Sequence, residues 1–258
     1  MSPPTALGGA LRRLGVLALA VAAPILGACA ETPSDPRAAM VEEVAAMARA
    51  TVWETGRPGL SPAVLQALAR VPRHEFVPAA QVPYAYENRP LPIGHRQTIS
   101  QPYIVALMTD LLDLRPGAVV LEVGTGSGYQ AAVLAELAER VYSIEIVEPL
   151  AREARARLDR LGYEKVITRV GDGYAGWPEH GPFDGILVTA APDHVPPALL
   201  EQLKPGARLV IPVGEGADAQ SLKVFEKAAD GSLRHRDVLP VRFVPLTRGG
   251  SAGVPDRQ

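Results

Sequence analysis

The chain has few of the features that mark metal-binding, nucleic-acid-binding or membrane-spanning proteins. Cys29 is its only cysteine, and the five histidines fall at no metal-ligand spacing, so no metal site is expected. The formal net charge of -2 leaves no basic footprint for a polyanion, and nucleic acid is therefore not an expected partner. The longest apolar run, residues 14–28, is too short to span a bilayer with flanks.

The composition is that of one globular catalytic domain preceded by a leader. Hydrophobic residues make up 47% of the 258 residues and charged residues 21%, which is enough to bury a full-sized core. The length suits one α/β domain better than two. There is no internal repeat or low-complexity tract in the predicted domain.

A glycine-rich stretch at residues 119–135 has the pattern of a buried strand, a tight turn and a helix start. Gly124, Gly126 and Gly128 give the spacing G-x-G-x-G, whereas a dinucleotide-binding fingerprint has its third glycine one residue later. Glu122 adds a carboxylate that would repel phosphate and attract the ammonium of an amino acid. The loop, including Thr125, therefore favours S-adenosylmethionine over NAD. The alternative is a plain strand-to-helix turn.

Two acidic strand ends follow the glycine loop. Glu145, next to Ile146, ends an apolar run about 20 residues past the loop, the spacing at which a carboxylate reaches ribose hydroxyls. Asp172, followed by Gly173, ends a third run and suits a backbone bend against adenine, with the carboxylate accepting from the adenine amino group. Either acid alone is more often a solvated strand end, but the three features occur in the order that a nucleoside site requires.

A more specific pattern lies upstream of the loop. Residues 91–103 read Leu-Pro-Ile-Gly-His-Arg-Gln-Thr-Ile-Ser-Gln-Pro-Tyr. This segment resembles the signature of protein-L-isoaspartate O-methyltransferases, a family that repairs aged aspartyl and asparaginyl sites. From about Met40 to Leu246 nearly every segment resembles the family. The other matching segments are residues 122–130, 171–173, 182–192, 203–214 and 241–246.

The resemblance implies methyl transfer from S-adenosylmethionine to the free α-carboxylate of L-isoaspartyl residues in damaged proteins or peptides. It assigns Ser100 to the substrate carboxylate and as the catalytic residue, with Thr98 and Ile99 lining the methyl-transfer cleft beside the cofactor. The segment Pro212-Val213-Gly214 would contact the peptide backbone of the substrate. Ser100 has an alternative role as the N-cap of the next helix. No general base is expected, because a carboxylate is ionised at neutral pH.

The remaining pattern predicts a Rossmann-like class I methyltransferase. Helices are expected at Met40–Arg49, at Ser61–Val71 with Ser61 as N-cap, and from Ser100 to Leu112, and a loop is expected at Pro72–Gln97. Strands are expected near 119–123, 141–146, 166–170, 184–189 and 208–212, with helices near 130–139, 148–161 and 196–203. This alternation predicts a mostly parallel sheet with helices on both faces. Residues 221–244, split at 229–232, predict an antiparallel C-terminal hairpin.

The predicted domain boundaries follow from these elements. Residues 1–29 form a lipoprotein-type signal peptide, 30–39 a tether, 40–248 the methyltransferase domain and 249–258 a tail. Within the domain, residues 40–112 form a helical and loop part that binds substrate. Residues 113–248 form the cofactor-binding sheet.

The leader predicts a location that differs from the one the family implies. Arg12 and Arg13 precede the apolar run, which ends at Leu26-Gly-Ala-Cys29 and resembles a bacterial lipoprotein box with Cys29 as the lipidated residue. This favours a lipid-anchored protein of the cell envelope, on the periplasmic side. The alternative is a cytoplasmic enzyme, as the family resemblance implies, with translation starting at Met40 or Met47.

Two other functions are also compatible with the sequence. A methyltransferase acting on another carboxylate or a small molecule would keep the glycine loop, Glu145 and Asp172, but has no need for residues 98–102. A noncatalytic envelope binding protein would use the fold without turnover. A monomer is expected, with contact to a membrane only through the lipid anchor.

Overall fold

The computed structural model describes residues 35–214 and 220–248. All of them belong to the unit Ser34–Gln258. The predicted signal peptide, Cys29, residues 30–34 of the predicted tether and the predicted tail lie outside the described residues. Within the described ranges, no helix is both long enough and apolar enough to cross a membrane.

Seven strands of the described residues form one sheet in the order β5-β4-β3-β6-β7-β8-β9. They are β3 (Val119–Val123), β4 (Arg140–Glu145), β5 (Val166–Val170), β6 (Phe183–Val188), β7 (Leu203–Val213), β8 (Gln220–Lys227) and β9 (Leu233–Val241). The first five in this order are parallel, and β8 and β9 are antiparallel additions at one edge. The order reverses direction at β3, and the crevice at such a point is where ligands bind in open α/β sheets.

Helices cover the parallel strands and form the N-terminal part of the unit. They are α1 (Pro36–Ala50), α2 (Val52–Thr55), α3 (Pro62–Arg70), α4 (Pro102–Leu111), α5 (Tyr129–Ala135), α6 (Glu148–Arg160) and α7 (Pro197–Glu201). Short 3₁₀ turns occur at Arg73–Phe76, Ala79–Tyr84, Gly173–Ala175 and Pro178–His180.

Burial explains why these segments adopt their structures. Strands β3 and β6 are buried along nearly their whole length, as their continuous apolar sequences predict for parallel strands covered on both faces. Helix α6 buries Leu150, Ala154 and Leu158, which fall on one face at helical spacing. Helix α3 begins as predicted, with Ser61 Oγ accepting from the Val64 amide.

The predicted fold class is confirmed, but four local predictions were wrong. Helix α1 begins at Pro36 and not at Met40, because Asp35 caps it by accepting from the Arg37 amide, so residues 36–39 of the predicted tether are helical. The segment predicted as a loop contains the 3₁₀ turns at 73–84 and an antiparallel hairpin of β1 (Leu91–Gly94) and β2 (Gln97–Ile99). Helix α4 begins at Pro102, so Gln101 and not Ser100 occupies the N-cap position. Strand β7 begins at Leu203, five residues before the predicted start near 208, because its first residues extend the ladder with β6.

Candidate active site

A cavity of about 460 Å³ lies at the carboxyl ends of the parallel strands. Its lining includes Val123 and Glu145, which are the last residues of β3 and β4. It also includes Gly171, which follows β5, and Thr189, which follows β6. This volume is within the range of small-molecule sites. Nine of the predicted site residues line it together: Thr98, Ile99, Ser100, Gly124, Thr125, Gly126, Glu145, Ile146 and Gly173.

The floor of the cavity is the glycine loop between β3 and α5. Gly124 has a φ of +97°, and a Cβ there would lie 2.2 Å from Thr189 Oγ1, so no other residue fits. The Thr189 hydroxyl instead donates to the Gly124 carbonyl at 2.6 Å. Gly128 stands at the N-cap of α5, against Leu158, and does not line the cavity.

Glu145 is held in a fixed position at the cavity wall. One carboxylate oxygen accepts from the Gly126 amide at 2.8 Å and the other from the Val147 amide at 2.9 Å. Each carboxylate oxygen has two lone pairs, so both can accept a further hydrogen bond from a ligand hydroxyl. The glycine loop therefore orients Glu145, the side chain that the sequence spacing assigns to the ribose.

Glu122 lies beneath the loop and not in the cavity. Its residue is fully buried, one oxygen accepts from the Ser143 hydroxyl, and Ser143 Oγ is 2.6 Å from Thr125 Oγ1. Burial raises the pKa of Glu122 to about 8, because the charged form loses hydration that one hydrogen bond replaces only in part. The predicted contact with a cofactor ammonium therefore has no direct geometric basis, since Glu122 is absent from the lining.

The turn after β5 places glycines, and not its acid, in the cavity lining. Gly171 and Gly173 line the cavity, and a Cβ on Gly173 would lie 2.2 Å from Val123 Cγ1. Asp172 is absent from the lining, and its Oδ1 accepts from the Tyr174 amide at 2.9 Å as the cap of a 3₁₀ turn. The lack of a side chain at Gly173 therefore lets the turn pack against Val123. The assignment of Asp172 to adenine stays a prediction.

The segment Thr98-Ile99-Ser100 forms part of the wall that faces the glycine loop. It follows the hairpin turn into β2, and all three residues line the cavity. Ser100 is half-buried, and its hydroxyl makes no hydrogen bond with any other described residue. With the N-cap position taken by Gln101, the hydroxyl is available to a ligand.

The predicted peptide-binding residues lie outside the cavity. Pro212, Val213 and Gly214 occupy the carboxyl end of β7, where the Gly214 amide donates to the Pro192 carbonyl at 3.1 Å. They do not line the cavity that contains Ser100. Their contact with substrate stays a prediction.

Several residues of the cavity were not predicted from the sequence. Tyr129, Gln130 and Thr189 belong to segments that were recognised, but their side chains gave no chemical signal. Residues 244–247 line the cavity because the Val244 carbonyl and the Leu246 amide bond the backbone of Ala191 at 2.8 Å each. No local pattern predicts that pairing, since it joins residues more than 50 positions apart. Within the described ranges, no three His, Cys, Asp or Glu side chains are grouped to hold a metal.

The strand order, the glycine loop and the acid at the end of β4 define a Rossmann-like class I methyltransferase. The family described as protein-L-isoaspartate(D-aspartate) O-methyltransferase matches residues 48–251. The chain belongs to this family.

Curated relatives and solved structures agree with that membership. The protein-L-isoaspartate O-methyltransferase 1 of Cupriavidus necator is 60% identical over 90% of this chain and 90% of its own. The protein-L-isoaspartate O-methyltransferase 2 of Syntrophobacter fumaroxidans is 59% identical over 92% and 96%. A solved protein-L-isoaspartate O-methyltransferase is 32% identical with a TM-score of 0.69, covering 83% of this chain and 67% of that one. A Plasmodium falciparum structure, solved with S-adenosyl-L-homocysteine, shares the fold at 22% identity and a TM-score of 0.67, covering 83% and 99%.

Proposed function

We propose that this chain repairs damaged proteins and peptides by methylating the free α-carboxylate of their L-isoaspartyl residues. The observation that supports this most directly is that one cavity joins Thr98, Ile99 and Ser100 to the glycine loop and Glu145. The two walls provide a place for a methyl acceptor and a place for a methyl donor. Methyl transfer needs both in contact and shielded from water.

The methyl donor is S-adenosyl-L-methionine, and the cavity suits it. Glu145 presents a fixed carboxylate to the ribose hydroxyls, and Gly171 and Gly173 line the cavity without side chains of their own, which suits a flat base. Gly124 and Gly126 leave the loop without side chains that would fill this space. When bound, the cofactor supplies a methyl group made electrophilic by a positively charged sulfur.

The protein promotes the reaction by orienting the two reactants and excluding water, and not by acid or base chemistry. An isoaspartyl carboxylate is already ionised at neutral pH, so no side chain has to remove a proton. The Ser100 hydroxyl donates a hydrogen bond to one carboxylate oxygen of the substrate. The other carboxylate oxygen is left free to attack the methyl group. Methyl transfer to that oxygen would break the carbon–sulfur bond of the bound cofactor, whose sulfur would keep the electron pair. The apolar side chains of Ile99 and Val123 keep water from the reacting groups.

A matched pair of peptides tests the proposed activity. The full-length protein is incubated with radiolabelled cofactor and either an isoaspartyl peptide or the normal aspartyl peptide of the same sequence. Base-labile methyl ester should form on the isoaspartyl peptide alone. Equal labelling of both peptides would favour a general carboxyl methyltransferase, and no labelling despite cofactor binding would favour a noncatalytic binding protein.

We also propose that the mature protein is a lipoprotein of the cell envelope. The proposal rests on Arg12 and Arg13, the apolar run and the box that ends at Cys29. Several acyl chains on one residue bury enough apolar area for stable attachment, where a single chain binds only marginally. The alternative is the cytoplasm, in which the cofactor is made.

The Cys29→Ser variant tests this location. In a Gram-negative host the unaltered protein should sediment with membranes, and mass spectrometry should find an acylated N-terminal cysteine. The variant should remain unprocessed. A soluble product with an unmodified cysteine, or with an N-terminus at Met40 or Met47, would contradict the proposed anchor and leave the proposed activity standing.

A further inference from the structure

Arg73 is a buried cation to which no described carboxylate is paired. Its residue is 0% exposed, and none of the ion pairs among the described residues includes it. Burying a charge is costly unless hydrogen bonds or an opposite charge replace its hydration. A methionine or leucine would fill a similar space without that cost. The contacts of the guanidinium should therefore explain why a charged side chain is buried at this position.

The guanidinium donates to backbone carbonyls on two separate segments. Its Nε donates to the Ala85 carbonyl at 2.9 Å, and its Nη2 donates to the Ser100 carbonyl at 2.8 Å. A longer contact of 3.4 Å reaches the Arg89 carbonyl. Burial lowers the pKa of Arg73 to about 10, so the side chain still carries its proton and its charge at neutral pH.

The same guanidinium also contacts the cofactor side of the cavity. Its central carbon lies 4.8 Å from the centre of the Tyr129 ring, a cation–π distance. Tyr129 is the first residue of α5, directly after the glycine loop, and it lines the cavity as Ser100 does. Arg73 thus touches one residue of each cavity wall while standing behind both.

Other bonds hold the neighbours of Ser100 but not Ser100 itself. Gln101 Nε2 donates to the Asn88 carbonyl at 2.9 Å, and Asn88 Oδ1 accepts from the Tyr103 amide at 3.0 Å. Among the described side chains, the bond from Arg73 is the one that ends on Ser100. Removing it would free the peptide unit that follows the Ser100 side chain.

We propose that Arg73 is a positioning residue, which holds the Ser100 backbone against the Tyr129 side of the cavity and so aims the Ser100 hydroxyl at the substrate carboxylate. This inference rests on the proposed role of Ser100. A displacement of about 1 Å at a reacting group can lower a rate about 100-fold. Hydrogen bonds from a charged guanidinium to neutral carbonyls are stronger than hydrogen bonds from a neutral amide. This explains why a cation is buried here without a carboxylate partner.

A double-mutant cycle tests the inference in the full-length protein. Arg73→Met should lower kcat on isoaspartyl peptide about 100-fold and change cofactor affinity less than about 3-fold, because Met keeps the bulk that packs on Tyr129. Arg73→Lys should restore part of kcat, since one ammonium can still donate to the Ser100 carbonyl. In the Ser100→Ala background, Arg73→Met should cause little further loss of kcat.

Arg57→Met is the matched control. Arg57 pairs with Asp110, near the other end of α4, at 3.2 Å and makes no hydrogen bond or ion pair with residues 98–101. Its loss should lower stability while leaving kcat per folded molecule within about 2-fold. Hydrogen exchange gives a readout that does not depend on turnover: amides of residues 98–103 should exchange faster in Arg73→Met than in Arg57→Met.

Three outcomes would overturn the inference. One is an unchanged kcat in Arg73→Met, and another is an equal loss in the wild-type and Ser100→Ala backgrounds, which would indicate a purely structural role. The third is unchanged exchange at residues 98–103. If the unaltered protein does not methylate isoaspartyl peptide, the proposed function fails by itself, and the exchange comparison still decides whether Arg73 holds Ser100.

Discussion

Glu145 and Glu122 show how two acids near one glycine loop acquire different properties. Glu145 accepts two backbone amides at the cavity wall, whereas Glu122 lies beneath the loop with a single hydroxyl donor to one oxygen. The sequence assigned both acids to the cofactor, Glu122 to its ammonium and Glu145 to its ribose. The register pairs Glu122 with Ser143, two residues before Glu145, so all three side chains face the same side of the sheet. The difference arises from position along the strand, since Glu122 is internal to β3 and Glu145 is the last residue of β4.

Replacing Glu145 with glutamine should weaken cofactor binding by about 1–3 kcal/mol. The variant keeps the shape of the side chain but loses charged acceptors for ligand hydroxyls and for the Gly126 amide. Calorimetry on the purified protein measures the change. Glu148→Gln is the control, because Glu148 is exposed and does not line the cavity. Equal affinity in both variants would remove Glu145 from the cofactor site.

Glu122 should make the stability of the protein depend on pH between about 4.5 and 8. Its folded pKa of about 8 lies above its ordinary value, so the folded state retains a proton that the unfolded state releases. This contribution to stability is fully present below pH 4.5 and falls by about 1 kcal/mol per pH unit as the pH rises toward 8. Glu122→Gln should remove the fall. Urea unfolding at several pH values measures it, and an unchanged slope in the variant would exclude Glu122 as its source.

The element that the sequence failed to predict is the hairpin of β1 and β2. Its strands have four and three residues, too short for a clear alternation, and Pro92 lies within the first. The two turn residues, His95 and Arg96, have φ values of 50° and 58°, a conformation that usually requires glycine or asparagine. The parallel strands were predicted because their apolar runs end in recognisable turns. The isolated bridge between Ala191 and Pro245, which lies outside the strands, was not predicted.

The strain in this turn should be measurable by substitution at His95. A valine there should lower the free energy of unfolding by about 1–2 kcal/mol, because a β-branched side chain clashes in the left-handed region. Asparagine should be neutral or stabilising, since it tolerates that region better. Urea unfolding compares the two variants. Arg234→Val, on the exposed strand β9, is the control and should change little; equal effects of Val and Asn at His95 would contradict the assigned backbone conformation.

At the scale of the whole molecule, the cavity is confined to one end of the parallel strands. The cavity lies where β3, β4, β5 and β6 end, while β8 and β9 extend the sheet beyond β7. The sequence predicted this division because alternating strands and helices fix the ligand at the carboxyl ends of a parallel sheet. It did not predict which segments cover the cavity, since that depends on the packing of chain ends far apart in sequence.

When it is made without the predicted signal peptide and without Cys29, the protein should be a monomer in solution. Strand β9 pairs with β8 on one side and is an edge of the sheet among the described strands. Most of its residues are exposed, including Arg234, Arg236 and Asp237, and charged side chains on an edge disfavour pairing with a second copy. Light scattering at micromolar concentration should give a mass no larger than the 27.3 kDa of the full chain. A mass of twice the chain would contradict this expectation.

The charged edge of β9 also affects how a repair enzyme interacts with partly unfolded proteins. Ageing proteins unfold in part and expose strands that add to any free sheet edge, which is how aggregates recruit folded neighbours. Strand β9 offers them a row of like and unlike charges and, at Pro240, a position without an amide hydrogen. The lateral edge of the sheet at β9 therefore resists pairing with the exposed strands of misfolded substrates.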